Sequence, residues 1–143
     1  MKMKNLLVFA VLFAYVMTQG SVVELLKMTE KVIRKNSWLL YLNYGCYCGW
    51  GGKGTPTDDT DKCCYLHDCC YGVLENQGCN AKIEEYTYSY RYGQLYCFES
   101  WCQWASCQCD SAFVLCLKKH LSSYDGNYLF YPDKHCENET PRC

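Results

Sequence analysis

Apolar and polar positions along this chain repeat with distinct periods, and each period predicts an element. From Ser21 to Lys35, Val22, Leu25, Leu26, Val32 and Ile33 share one side of a 3.6-residue repeat, while Glu24, Lys27, Glu30, Lys31, Arg34 and Lys35 fill the other. The pattern predicts an amphipathic helix that ends at Asn36 and Ser37. A second helix is predicted from about Asp59 to Leu74, stopped near Gly78. Asp58, Asp59 and Asp61 suit its first turn, where carboxylates meet unpaired N–H groups. A third helix is predicted from Cys107 to about Leu121. Between them Tyr86, Tyr88, Tyr90 and Tyr92 recur every second residue, and Gly93 sits where the chain can reverse before Leu95 and Cys97, which predicts a hairpin.

Residues 1–20 follow a different rule. Lys2 and Lys4 precede an apolar run from Leu6 to Val16, and Thr18 and Gly20 place small residues before a cut, as in a secretory signal peptide. The run is short for a bilayer span. Residues 21–143 then form one domain, with no repeat, low-complexity stretch or dividing linker.

All fourteen cysteines fall in that domain. In a secreted chain, a dense and even set argues for a disulfide framework rather than thiolate metal sites. The formal charge is −1, and more negative without Lys2 and Lys4. No overall basic field points to nucleic acid.

Three predicted helices and an even cysteine set read as a mainly α, disulfide-rich fold. Cys63 and Cys70 are two turns apart on the second helix, as Cys109 and Cys116 are on the third. If the two helices run antiparallel, Cys63 can bond Cys116 and Cys70 can bond Cys109. His67 lies between those rungs, and Asp110 is one residue from a rung, so a hydrogen bond between them is within reach. Asp68 projects about 100° away from His67 and is free for another partner. The loop from Tyr44 to Gly54 is rich in glycine. It reads either as a plain turn or as a backbone whose carbonyls converge with a carboxylate on calcium.

The segments YGCYCGWGG, DKCCYLHDCCYG and CQCD resemble the calcium loop, active-site helix and second-helix aspartate of the secreted phospholipase A2 family. The likeness covers nearly all of residues 21–143. The cysteine pattern, with a C-terminal extension to Cys143, resembles the group II type. It implies two long antiparallel helices, an N-terminal amphipathic helix, a calcium-binding loop and a small β wing. It also implies disulfides Cys46 to Cys136, Cys48 to Cys64, Cys63 to Cys116, Cys69 to Cys143, Cys70 to Cys109, Cys79 to Cys102 and Cys97 to Cys107.

The activity implied is calcium-dependent hydrolysis of the sn-2 ester of glycerophospholipids by a secreted enzyme at membranes or micelles. His67 is then the general base and Asp110 its partner, with Tyr71 and Tyr86 bonded to that aspartate. One calcium ion sits on Asp68 and on the backbone carbonyls of Tyr47, Gly49 and Gly51. Trp50 occupies a position that the family presents to lipid, and with the negative domain it points to zwitterionic membranes. Val22, Leu25, Leu39 and Tyr41 are further candidates for the channel wall or rim. Lys27, Lys31, Arg34, Lys35 and Lys53 are read as phosphate contacts or as a solvated face.

Leu25 and Thr29 depart from the family pattern, which has an aromatic and an aliphatic residue there. Tyr90 and Tyr92 receive no function, and Trp101 and Trp104 read as exposed wing residues. Asn138-Glu139-Thr140 is a glycosylation sequon. The alternative function is a non-catalytic toxin or receptor-binding ligand on the same scaffold, whose partner is a cell-surface receptor. The intact set His67, Asp68 and Asp110 favours the enzyme.

Overall fold

The computed structural model describes Leu7, Val8, Ala10, Val11, residues 20–49 and residues 51–143. The leader expected over residues 1–20 lies almost wholly outside these residues, and so does Trp50. Three α-helices dominate: α1 (Gly20–Val32), α2 (Asp59–Asn76) and α3 (Trp101–Lys119). A two-stranded antiparallel sheet, β1 (Tyr88–Arg91) and β2 (Gln94–Cys97), stands between α2 and α3 in the sequence.

Helix α1 buries Met28, Thr29 and Val32. A buried threonine needs a partner for its hydroxyl. Thr29 Oγ1 donates to the Leu25 carbonyl at 2.8 Å, and Ser37 Oγ donates to the Thr29 carbonyl at 3.1 Å. The helix ends at Val32, and the chain turns at Asn36, whose φ of 59° is left-handed, a conformation asparagine tolerates better than most residues. The Glu30 carboxylate fastens the turn by accepting from Asn36 N–H and Trp38 Nε1–H.

Helices α2 and α3 form the central pair. Cys63–Cys116 and Cys70–Cys109 bridge them as two rungs of an antiparallel ladder. Five further disulfides join Cys46–Cys136, Cys48–Cys64, Cys69–Cys143, Cys79–Cys102 and Cys97–Cys107. Asp58 caps α2 by accepting from Asp61 N–H at 2.8 Å.

Helix α3 begins at Trp101, behind the Ser100 cap, six residues before the expected start at Cys107. Its first turns expose Trp101 and Trp104 while burying Ala105 and Ser106. Apolar periodicity misses such a turn because its largest apolar residues face outward. Tyr86 also differs from expectation. It precedes β1 rather than joining the hairpin, and its side chain is buried. The strands turn through Tyr92 (φ 53°) and Gly93 (φ 75°), a two-residue reversal that suits strand twist. Tyr88 pairs with Cys97 and Tyr90 with Leu95, on the side packed against Met28 and Val114.

Candidate active site

The antiparallel rungs bring His67 on α2 against Asp110 on α3. His67 Nε2 lies 2.7 Å from Asp110 Oδ1. The Asp110 side chain is fully buried, and a buried carboxylate needs donors. It receives two more: Tyr71 Oη–H donates to Oδ1 and Tyr86 Oη–H to Oδ2, both at 2.6 Å. Burial, reinforced by the charge of Asp110, pushes the Tyr86 hydroxyl far above its ordinary pKa. Tyr86 therefore stays protonated and remains a donor.

Rings fix the imidazole from its sides. The Phe113 ring lies 4.5 Å from that of His67, with planes 31° apart, and the Tyr71 ring lies 4.3 Å away. Phe113 is one turn beyond Asp110 on α3, so one helix supplies both the hydrogen-bond partner and the ring. In the sequence Phe113 read only as part of an apolar helix.

The glycine-rich loop is anchored by Asp61, a residue the sequence placed merely in a helix first turn. Asp61 is fully buried, and its carboxylate accepts from the N–H groups of Cys46 and Tyr47 at 2.8 Å and of Thr57 at 2.9 Å. Gly45 makes this approach possible, since a Cβ there would lie 2.4 Å from Asp61 Cγ. The far side of the loop is held by the C-terminal segment. Gly54 N–H donates to Thr140 Oγ1 at 2.8 Å and Thr55 N–H to Asn138 Oδ1 at 2.9 Å. Both polar side chains of the sequon thus bind this loop.

Asp68 stands exposed beside the loop, and no hydrogen bond or ion pair to its carboxylate occurs among the described residues. Its pKa is raised to about 6, first by desolvation and then by Asp61, against the opposing pull of His67 and Lys82. Solvent on its open side tempers this push. A Cβ on Gly52 would lie 3.2 Å from Asp68 Oδ2 and 2.4 Å from the Tyr47 ring, so the loop backbone runs directly against this carboxylate. Gly49 (φ 119°) and Gly51 (φ 80°) are both left-handed. A carboxylate without a hydrogen-bond or ion-pair partner among the described residues, beside carbonyl-bearing glycine backbone, is a donor set that fits a hard ion such as calcium. A thiolate site is excluded: Cys63, Cys116 and His120 gather in space, but both sulfurs form a disulfide.

The candidate rim residues divide. Leu39 is half exposed, Val22 and Leu25 are half-buried, and Tyr41 is buried against Cys63 and Leu117, which makes it packing rather than rim. Among the candidate phosphate contacts, Lys27 pairs with Glu24 at 3.7 Å, Lys53 with Glu137 at 3.1 Å, and Lys31 lies over the Tyr88 ring. Arg34 and Lys35 are exposed.

Comparison with known proteins matches most of the chain. A family model described as Phospholipase A2 matches residues 22–129. Basic phospholipase A2 DAV-N6 of Deinagkistrodon acutus is 42% identical over 142 residues, covering 99% of this chain and 100% of that protein. Neutral phospholipase A2 ammodytin I2 of Vipera ammodytes ammodytes is 44% identical over 126 residues, 87% of this chain and 90% of its own length. Basic phospholipase A2 myotoxin I of Bothrops asper is 41% identical over 142 residues, 99% of this chain and 100% of that protein.

Proposed function

The chain belongs to the phospholipase A2 family, and from that premise we propose that it hydrolyses the sn-2 ester of glycerophospholipids at lipid surfaces, in a calcium-dependent reaction that releases a fatty acid and a lysophospholipid. The observation that carries this reading is the 2.7 Å contact between His67 Nε2 and Asp110 Oδ1, one residue along α2 from a carboxylate with no partner among the described residues.

With Nε2–H donated to Asp110, Nδ1 is the basic nitrogen of His67. It takes a proton from a water that attacks the ester carbonyl directly, and Asp110 stabilises the imidazolium so formed. Tyr71 and Tyr86 hold Asp110 still while this charge appears. His67 then returns the proton to the departing lysophospholipid oxygen. Asp68 and the carbonyls of Tyr47, Gly49 and Gly51 would hold calcium, which when bound supplies positive charge for the substrate phosphate and the developing oxyanion. The Gly49 N–H adds a donor for that oxyanion.

Residues 1–20 act as a cleaved leader in this reading, and the seven disulfides suit an extracellular, oxidising setting. Val22, Leu25 and Leu39 form the described part of the lipid-facing mouth in this reading.

Fatty-acid release from mixed phospholipid vesicles, with excess calcium and with a chelator, tests the proposal. Release is expected only with calcium, and His67→Gln should lower it by roughly 10²–10⁴-fold without changing the fold. No release from the folded protein in excess calcium would leave it a non-catalytic ligand.

A further inference from the structure

The hairpin and the start of α3 carry an aromatic strip that the site does not use. Tyr92 at the hairpin tip is fully exposed, and Tyr96, Phe98, Trp101 and Trp104 are between 44% and 52% exposed. Tyr96 and Phe98 are two residues apart along the β2 arm, Phe98 is three before Trp101, and Trp101 and Trp104 are neighbours on α3. The scaffold beneath them is cross-linked: Cys97–Cys107 ties β2 to α3, and Cys79–Cys102 ties the first turn of α3 to the segment just after α2.

Aromatic side chains of this kind present about 150–250 Å² each, so four half-exposed rings and one free ring offer roughly 450–750 Å². That reaches or passes the largest patch of a typical monomer, about 300–600 Å². It falls short of the roughly 800 Å² per partner of a stable protein interface. Between Arg91 and Trp104 the charged residues are Arg91 and Glu99, and the Glu99 carboxylate already accepts from Thr87 Oγ1. The strip is therefore close to neutral and has no charge to match an anionic surface. Rings that join an apolar body to a polar tip settle at the boundary between headgroups and hydrocarbon.

We propose that this strip is a second lipid-contact surface, specific for zwitterionic bilayers and separate from the catalytic mouth. The separation follows from the helix pair. Cys48–Cys64 fixes the glycine loop near the start of α2. That start lies against the end of α3, where Thr60 Oγ1 meets the His120 carbonyl. The strip occupies the opposite end. Trp104 is six residues from Asp110, about 9 Å along the axis and 240° around it. A chain held by this strip stays on a bilayer whether or not the mouth is engaged.

Sedimentation with phosphatidylcholine vesicles in the presence of a chelator tests this, because it reads binding without turnover and so stands apart from the catalytic proposal. Wild type should partition, and Trp101→Ala with Trp104→Ala should lower the partition about tenfold or more through lost apolar contact. Phe98→Ser should weaken it as well, which keeps the test open if the double variant does not fold. Thermal midpoints check folding. Hydrolysis of a dispersed short-chain substrate should be unchanged. The proposal is overturned if wild type does not bind, if the folded variants bind within twofold of wild type, or if wild type is a dimer that these substitutions dissociate.

Discussion

His67 lies against Phe113 with ring centroids 4.5 Å apart and planes 31° from parallel. Phe113 also packs toward three of the buried clusters, so the ring that steadies the imidazole is itself held by the core. Phe113→Ala should cost up to about 3 kcal/mol in denaturant unfolding, below the full range for a buried phenylalanine because this one is only half-buried. If the ring positions His67, kcat falls while KM stays, and Phe113→Tyr restores turnover. Unchanged kcat in Phe113→Ala would reduce the ring to packing.

Asp110 accepts from three side chains, and the two tyrosines contribute unequally. Tyr86 is buried and Tyr71 only half-buried. Removing one donor from a buried carboxylate costs about 1.5–3 kcal/mol. Tyr86→Phe should fall in that range and Tyr71→Phe at or below its lower end, as read by urea unfolding. The double variant should depart from additivity, since both bonds serve one carboxylate.

Under the proposed function, Asp68 would link calcium binding to pH. Its folded pKa is raised to about 6 from 3.8, so the metal-free fold favours the protonated form. That contribution to stability is fully present below about pH 3.8 and is lost as pH rises through about 6. Above this range the ionised carboxylate needs a cation. Calcium should therefore raise the unfolding midpoint at pH 7.5 and lose most of that effect at pH 5. Asp68→Asn should abolish the calcium effect and make the metal-free protein at least as stable at pH 7.5. Equal calcium shifts at both pH values would remove Asp68 from the ion.

At Gly52 the loop backbone runs against both the Tyr47 ring and the Asp68 carboxylate. Gly52→Ala places a methyl 2.4 Å from the Tyr47 ring and should displace one of the two. Calcium affinity measured calorimetrically should fall by about tenfold or more, because coordination depends on loop shape. Gly72→Ala, where a Cβ meets nothing within 4 Å, should leave affinity unchanged.

Much of this arrangement was legible in the sequence because its spacing is helical. Cysteines seven apart on two helices admit an antiparallel register, and in that register Asp110 comes within reach of His67. Asp61 was not legible as an anchor. Three aspartates at a helix start look alike until the loop folds back and Gly45 leaves room for only one of them. Thr29 looked like a weak point in an apolar face, but its hydroxyl finds a carbonyl one turn earlier. The start of α3 was missed because Trp101 and Trp104 face outward, and the part played by Phe113 depends on a contact between helices that no local pattern records.

The latch on the glycine loop joins residues far apart in the chain. Cys46 closes on Cys136 across 90 positions and Cys69 on Cys143 across 74, while Gly54 and Thr55 wait for Thr140 and Asn138. The ladder between α2 and α3 spans only 39 and 53 positions. Shorter loops close at lower entropic cost, so His67 and Asp110 can meet before the glycine loop gains its outer wall.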